Sequence, residues 1–292
     1  MLDYIKNLLL NFLFYRKNKF INRPNWSKEL QTSPPNFGKA KRIDNLQLNK
    51  IIEKKKKLIP QKYSKKKNNQ NISIVILTCK REQLFENLIK KLKFFLKNVE
   101  TYKYYDIYVV DNGSNKTRNS LTCKENNIDN YIYFKKNLGM SNALRKVYKS
   151  INSDYIMFVE DDFDINYEKP FLKNCVEIFE EFKDIGIIRL KNQNNWWKKE
   201  RVISEFRTTK NNVNFWTWIP KNEFNGWCAG SVIFKKECYD IVGGLPYSPN
   251  INRFQFYIYE NYFAKKFNKM WNAAKIENCY PFFQPNDNDP IL

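Results

Sequence analysis

The chain has 292 residues, 42% apolar and 16% aromatic, enough for one large α/β core or one domain with appendages. It contains no histidine, which excludes Ser-His-Asp and Cys-His nucleophiles, histidine metal sites and a histidine base. The formal net charge of +21 suggests nucleic acid, but residues 1–70 carry 18 Lys+Arg against 4 Asp+Glu (+14), leaving 33 against 26 (+7) for residues 71–292.

Residues 1–21 place Leu2, Ile5, Leu8, Leu9, Phe12 and Leu13 at helical spacing, with Lys6, Arg16, Lys17 and Lys19 beside them. This predicts an amphipathic helix, packed on the main domain or a partner, or lying on an anionic membrane surface. No small-residue cleavage site follows it, which argues against a secretory signal. Residues 22–70 hold four prolines and the lysine runs 54–57 and 65–67, the pattern of an irregular, solvated connection. Only Tyr63 lies near those runs, so the aromatic interleaving of a nucleic-acid groove is missing and that partner is disfavoured. The six cysteines form no C-x-x-C pair, which argues against zinc and for reduced thiols in a cytoplasmic protein, peripheral at most to a membrane.

From residue 71 the pattern changes. Strands are expected at 72–77, 105–110, 131–134 and 155–159. A helix with Leu84, Leu88, Leu92 and Phe95 on one face follows the first, and Asn137-Leu138-Gly139 opens another that runs to about Ser150. Further on, a helix from Pro170 to about Phe182 precedes a strand at 185–190. Residues 191–225 are polar and rich in tryptophan, and Trp216 and Trp218 would share one face of a strand. Gly230-Ser231 leads into a strand at 232–234 and a short helix ending at Gly243-Gly244. Residues 256–267 read as a helix with Glu260 near its first turn, and residues 281–292 as a mobile tail after a domain spanning 71–280. Strand alternating with helix argues for an α/β, mostly parallel central sheet with helices on both faces. Ligands bind such sheets at the carboxyl ends of the strands. Thr78, Arg81, Asp111 and the triplet Glu160-Asp161-Asp162 all fall there.

The triplet ends the apolar run Tyr155–Val159. Adjacent carboxylates repel and are costly to desolvate unless positive charge stands between them. A hard divalent cation, Mn²⁺ or Mg²⁺, shared with substrate phosphates is the usual solution. A solvated, idle acidic loop is the alternative for such a triplet alone.

Four segments in order give the stretch from Ile72 to about Lys269 its resemblance to a GT-A (Rossmann-like) nucleotide-sugar glycosyltransferase of the family 2 type. Ile74-Val75-Ile76-Leu77-Thr78-Cys79-Lys80-Arg81 resembles the opening strand and nucleotide-binding turn, and Val109-Val110-Asp111-Asn112-Gly113-Ser114 the family's VDNGS segment. Asn137-Leu138-Gly139 with Asn142-Ala143 resembles its N-x-G helix start, and Glu160-Asp161-Asp162 stands in the place of its D-x-D motif. The stretch from Gly230-Ser231 to Gly243-Gly244 resembles the acceptor-side strand and helix.

The resemblance implies metal-dependent transfer of a sugar from a nucleotide diphosphate, with UDP expected, to a glycan or glycolipid hydroxyl, with inversion. It implies Asp162 as the metal ligand and Glu160 and Asp161 at the ribose or at the metal through water. Asp111 and Asn112 fall at the uracil or ribose, Thr78 and Arg81 at the base and phosphates, and Arg145 at the diphosphate. Trp227 and Gly230 fall to the acceptor. The family's late acidic pair is here Glu260-Asn261, a departure that leaves Glu260 as the candidate base. A solvated helix surface is the alternative for both Arg145 and Glu260. Two rival classes remain. One is a nucleic-acid-binding protein; the other is a sugar-phosphate nucleotidyltransferase, which would want a glycine-rich loop that Thr78–Glu82 lacks.

Overall fold

The structure is a computed structural model that describes residues 71–165, 168–190, 202–220, 230–247 and 253–283, with the backbone alone for 202–204, 218–220, 253–261 and 283. The expectations for residues 1–21 and 22–70, and for Trp196, Trp197 and Trp227, lie outside the described residues.

The chain opens with β1 (Ile72–Thr78), α1 (Glu82–Asn98), β2 (Tyr105–Asn112), α2 (Lys116–Glu125), β3 (Asn130–Phe134), α3 (Met140–Ser150) and β4 (Tyr155–Glu160). Then come β5 (Asp164–Ile165), α4 (Leu172–Glu181), β6 (Ile185–Arg189) and the hairpin of β7 (Val202–Thr208) and β8 (Asn214–Pro220). The last elements are β9 (Val232–Lys235), α5 (Lys236–Ile241), α6 (Arg253–Met270), β10 (Asn272–Ile276) and β11 (Phe282–Phe283).

Among the described residues nine strands form one sheet in the order β3-β2-β1-β4-β9-β6-β10-β8-β7. The block β3-β2-β1-β4 is parallel, as is the pair β6-β10. β9 runs antiparallel between β4 and β6, and the β7–β8 hairpin adds antiparallel to β10. The fold is thus the expected α/β type, mostly parallel in its core, with an antiparallel wing. β1 sits between two parallel neighbours and is buried along its whole length, which explains its unbroken apolar sequence. Ile72, Ile74 and Ile76 face one core with α1 and α4; Val75 and Leu77 face the other with α3, α5 and α6.

Four expectations are corrected. Leu84 is 40% exposed, because the buried stripe of α1 is Phe85, Leu88, Ile89, Leu92, Phe95 and Leu96. That i, i+3, i+4 series turns Leu84, one residue off, toward water. α4 begins at Leu172 rather than at Pro170. Glu260 is the eighth residue of α6, not part of its first turn. The expected tail starts late: Phe282 pairs with Ile165, is fully buried and meets the Phe171 ring edge-on at 6.3 Å. Residues 284–292 lie outside the described residues.

Candidate active site

The carboxyl ends of β1, β2, β3 and β4 converge, and side-chain bonds lock their loops together. Asp111, at the end of β2, is fully buried. Its Oδ1 accepts from the Ser114 N–H at 2.8 Å, and its Oδ2 from Asn119 Nδ2 and the Tyr131 hydroxyl, both at 2.8 Å. Asp111 therefore closes its own turn and ties it to α2 and β3. Burial and the Asp111 carboxylate together push the Tyr131 hydroxyl far above its ordinary pKa, so it stays a donor.

Asn112 joins the next loop. It donates to Asn137 Oδ1 at 2.9 Å and accepts from the Leu138 N–H at 2.8 Å. Asn137 also accepts from the Gly139 N–H at 2.8 Å and donates to Cys79 Sγ at 3.4 Å, while the Cys79 thiol donates to the Asn112 carbonyl at 3.2 Å. Burial raises the Cys79 pKa, so it remains a thiol. Gly113 has φ +96°, and a Cβ there would stand 2.7 Å from the Asn137 backbone nitrogen. Only glycine fits both the angle and the approach. Lys80, at φ 55°, turns its N–H onto Ser114 Oγ at 2.7 Å.

The acidic end of β4 meets the β1 loop through Arg81. Its guanidinium lies 2.5 Å from Asp161 Oδ1 and 2.9 Å from Asp162 Oδ2. The Asp161 side chain is fully buried, whereas that of Asp162 is 26% exposed and that of Arg81 40%. Burial raises the Asp161 pKa to about 6, against the opposing pull of Arg81, the Thr78 hydroxyl and the Cys79 N–H. Thr78 is buried, with its hydroxyl beside the Asp161 carboxylate. The carboxylates Asp161, Asp162 and Glu160 raise the pKa of Arg81 despite its burial, so its charge is secure. Glu160 is half-buried, and its charge is also felt by Tyr148 on α3.

Thr78, Arg81, Glu160, Asp161 and Asp162 thus stand together, with Asp111 and Asn112 holding the adjoining loops. Among the described residues, Arg145 forms no ion pair with any of them. It is half-buried on α3, its Nε makes no hydrogen bond, and its charge bears on Tyr239 of α5. Gly230 is buried just before β9, level with Glu160, because Val232 pairs with Phe158.

Glu260 lies one to two turns before the buried Phe263, Ala264 and Phe267 of α6. A Cβ on Gly186 would touch Phe267 and Trp271, so that turn of α6 lies over the start of β6. Seven residues back along the helix, and three forward along β6, are both about 10 Å. The backbone of Glu260 is therefore level with the carboxyl end of the sheet.

The donor set suits a hard cation. Two carboxylates at a strand end already accommodate positive charge between them, from Arg81. Among the described residues no group of three or more His, Cys, Asp or Glu could hold a metal. One or two carboxylates would have to be completed by phosphate and water, the pattern of a cation that arrives with its nucleotide.

Motif reading missed Cys79 as a link in the loop lattice, and Arg189 and Lys275, which are buried near the carboxyl ends of β6 and β10. A charge ending an otherwise apolar strand was the available signal at Arg189.

Comparison with known proteins follows the same lines. The sequence profile described as glycosyl transferase family 2 matches residues 73–238. A comparison with curated proteins found no match. Among solved structures, TarS of S. aureus is 15% identical, with a TM-score of 0.50, over 74% of this chain and 37% of that one. TarS 1–349 in complex with UDP-GlcNAc is 14% identical at a TM-score of 0.50, covering 76% of this chain and 62% of that one. The mannosyltransferase PcManGT of Pyrobaculum calidifontis, in complex with GDP-Man and Mn²⁺, is 14% identical at a TM-score of 0.50, over 77% and 61%. The chain thus spans between about a third and two thirds of the length of these structures, and at these identities the likeness is one of fold.

Proposed function

The chain belongs to glycosyl transferase family 2, and from that premise we propose that it moves a sugar from a nucleotide diphosphate, UDP first, to a hydroxyl of a glycan or glycolipid, with inversion. The observation that carries this reading is the Arg81–Asp161–Asp162 cluster at the adjoining ends of β1 and β4. The UDP-GlcNAc and the GDP-Man with Mn²⁺ held by similar folds support the donor class and the metal.

Asp162, the exposed member of the acidic pair, would hold Mn²⁺ or Mg²⁺. When bound, the ion offsets charge developing on the leaving diphosphate. Asp161 anchors Arg81, whose exposed guanidinium can meet phosphate oxygens. Glu160 stands at the ribose side. The loop closed by Asp111 and Asn112, with Thr78 beneath it, forms the base and ribose wall. Arg145 would serve the diphosphate, and the hydrogen-bonding capacity left at its Nε supports that use. Glu260 takes the acceptor's proton, and Trp227 and Gly230 line the acceptor. The protein would work in the cytoplasm, peripheral at most to an anionic membrane.

A panel of UDP-, GDP- and other nucleotide-sugars with Mn²⁺ or Mg²⁺ tests this, because slow donor hydrolysis needs no acceptor. One nucleotide class should be hydrolysed, and only with metal. Release from no donor under any metal would overturn the assignment.

A further inference from the structure

Arg81 puts a cation of the chain's own between the two acids of the proposed metal site. It is the residue just before α1, and its carbonyl accepts from the Phe85 N–H at 3.0 Å, so its backbone is tied into the first turn of that helix. Its side chain is the part left to move. The two ends of the guanidinium fork hold different acids. Nη2 lies 2.5 Å from Asp161 Oδ1, and Nη1 donates to Asp162 Oδ2 at 2.9 Å.

The two contacts are not equivalent. The Asp161 side chain is sealed, and its backbone N–H donates to the Leu77 carbonyl at 3.2 Å, which fixes it to the end of β1. Asp162 reaches water, where an ion pair is screened and weak. The fork can therefore open at Asp162 while it stays closed at Asp161. A divalent cation on Asp162 needs the place that Nη1 now holds. Were it to take the other oxygen of that carboxylate, a dication and a guanidinium would share one acid and repel each other. Arg81 also cancels one of the three charges of Glu160, Asp161 and Asp162, which weakens their pull on a metal that arrives alone. A diphosphate changes the balance, because its oxygens can receive the freed end of the fork and complete the shell of the metal together.

We infer that Arg81 is a stand-in for the cation of the donor site: it occupies Asp162 until a nucleotide diphosphate arrives, then pivots on Asp161 to the phosphates and yields Asp162 to the metal. The inference rests on the transferase reading above. It makes Arg81 the reason that metal and nucleotide bind together.

The test titrates Mn²⁺ alone, and then UDP in the presence of Mn²⁺, into the natural chain, Arg81→Gln and Arg81→Lys, followed by calorimetry. Arg81→Gln should bind Mn²⁺ alone at least fivefold more tightly than the natural chain, because the competing charge is gone. UDP with Mn²⁺ should bind it at least tenfold more weakly, because the phosphates have lost a partner. Arg81→Lys, which keeps the charge, should bind Mn²⁺ alone as the natural chain does. A residue that merely shaped the loop would weaken both kinds of binding when removed. If Arg81→Gln does not fold, a crystal structure of the natural chain with UDP and Mn²⁺ decides: the guanidinium should have left Asp162 for the diphosphate and kept Asp161. Mn²⁺ binding that is unchanged or weaker in Arg81→Gln, Arg81→Lys behaving as Arg81→Gln does, or a guanidinium still on Asp162 beside the bound metal overturns the inference. Any of these with metal-dependent UDP binding intact in the natural chain defeats this inference alone, whereas failure of UDP to bind the natural chain defeats the transferase reading.

Discussion

Asp161 and Asp162 are neighbours in sequence with opposite surroundings. The first is sealed in and ion-paired; the second reaches the surface. Burial lifts the folded-state pKa of Asp161 from 3.8 to about 6, so between those values the folded chain holds the proton more tightly than the unfolded one. Keeping Asp161 ionised above pH 6 thus costs stability, by about 3 kcal/mol for a shift of this size. Asp161→Asn removes that cost. Urea unfolding of metal-free, donor-free protein should find the variant gaining on the natural chain by about that amount between pH 4 and pH 7.5. A difference that stays flat over that range would mean Asp161 is not buried as described. The triplet itself was legible, because three acids after an apolar run stand out. Which acid lies inside was not, since depth depends on how the β1 loop folds back to bring Arg81 across.

At the scale of elements, the site depends on loops held in register by Asp111, Asn112, Asn137 and Cys79. Gly113 is where two of them come closest. Gly113→Ala adds a Cβ against backbone at a left-handed angle, so it should cost about 1–3 kcal/mol and weaken UDP binding with it. Full stability and affinity in that variant would mean the loops are not locked there. α6 brings Glu260 level with the strand ends. Glu260→Gln keeps its shape and removes its basicity, so transfer should fall about 10²-fold or more while UDP binding holds. Unchanged turnover would remove Glu260 as the base.

The apolar runs that revealed β1 and β4 are strong because those strands are buried on both faces, whereas β3, at the edge of the sheet, is half-buried throughout. α2 was unreadable by the same signal: it buries Asn119, Thr122 and Cys123, and its sequence has almost no apolar stripe. β10 was hidden in a similar way, since Asn272, two alanines and Lys275 make up most of it. Its strand form comes from pairing with β6 and β8 rather than from propensity. Trp216 does lie on a strand, as its spacing with Trp218 implied. It meets Phe206 edge-on at 5.0 Å in the hairpin, four strands from β4.

For the molecule as a whole, charge is uneven: most of the excess lies in residues 1–70, before the sheet begins. Among the described residues no helix is long and apolar enough to cross a membrane. The sheet brings Thr78, Asp111 and Glu160 to one edge at the ends of β1, β2 and β4, with Gly230, just before β9, level with them. At that edge Asp162 is expected to hold a divalent cation together with a nucleotide diphosphate. Calorimetric titration of UDP, with and without Mn²⁺, into the natural chain and Asp162→Ala tests this most directly. The natural chain should bind UDP at least tenfold more tightly with Mn²⁺, and Asp162→Ala, still folded, should lose that gain. Metal-dependent UDP binding that is undiminished in Asp162→Ala, or UDP binding that ignores the metal in both proteins, would contradict it.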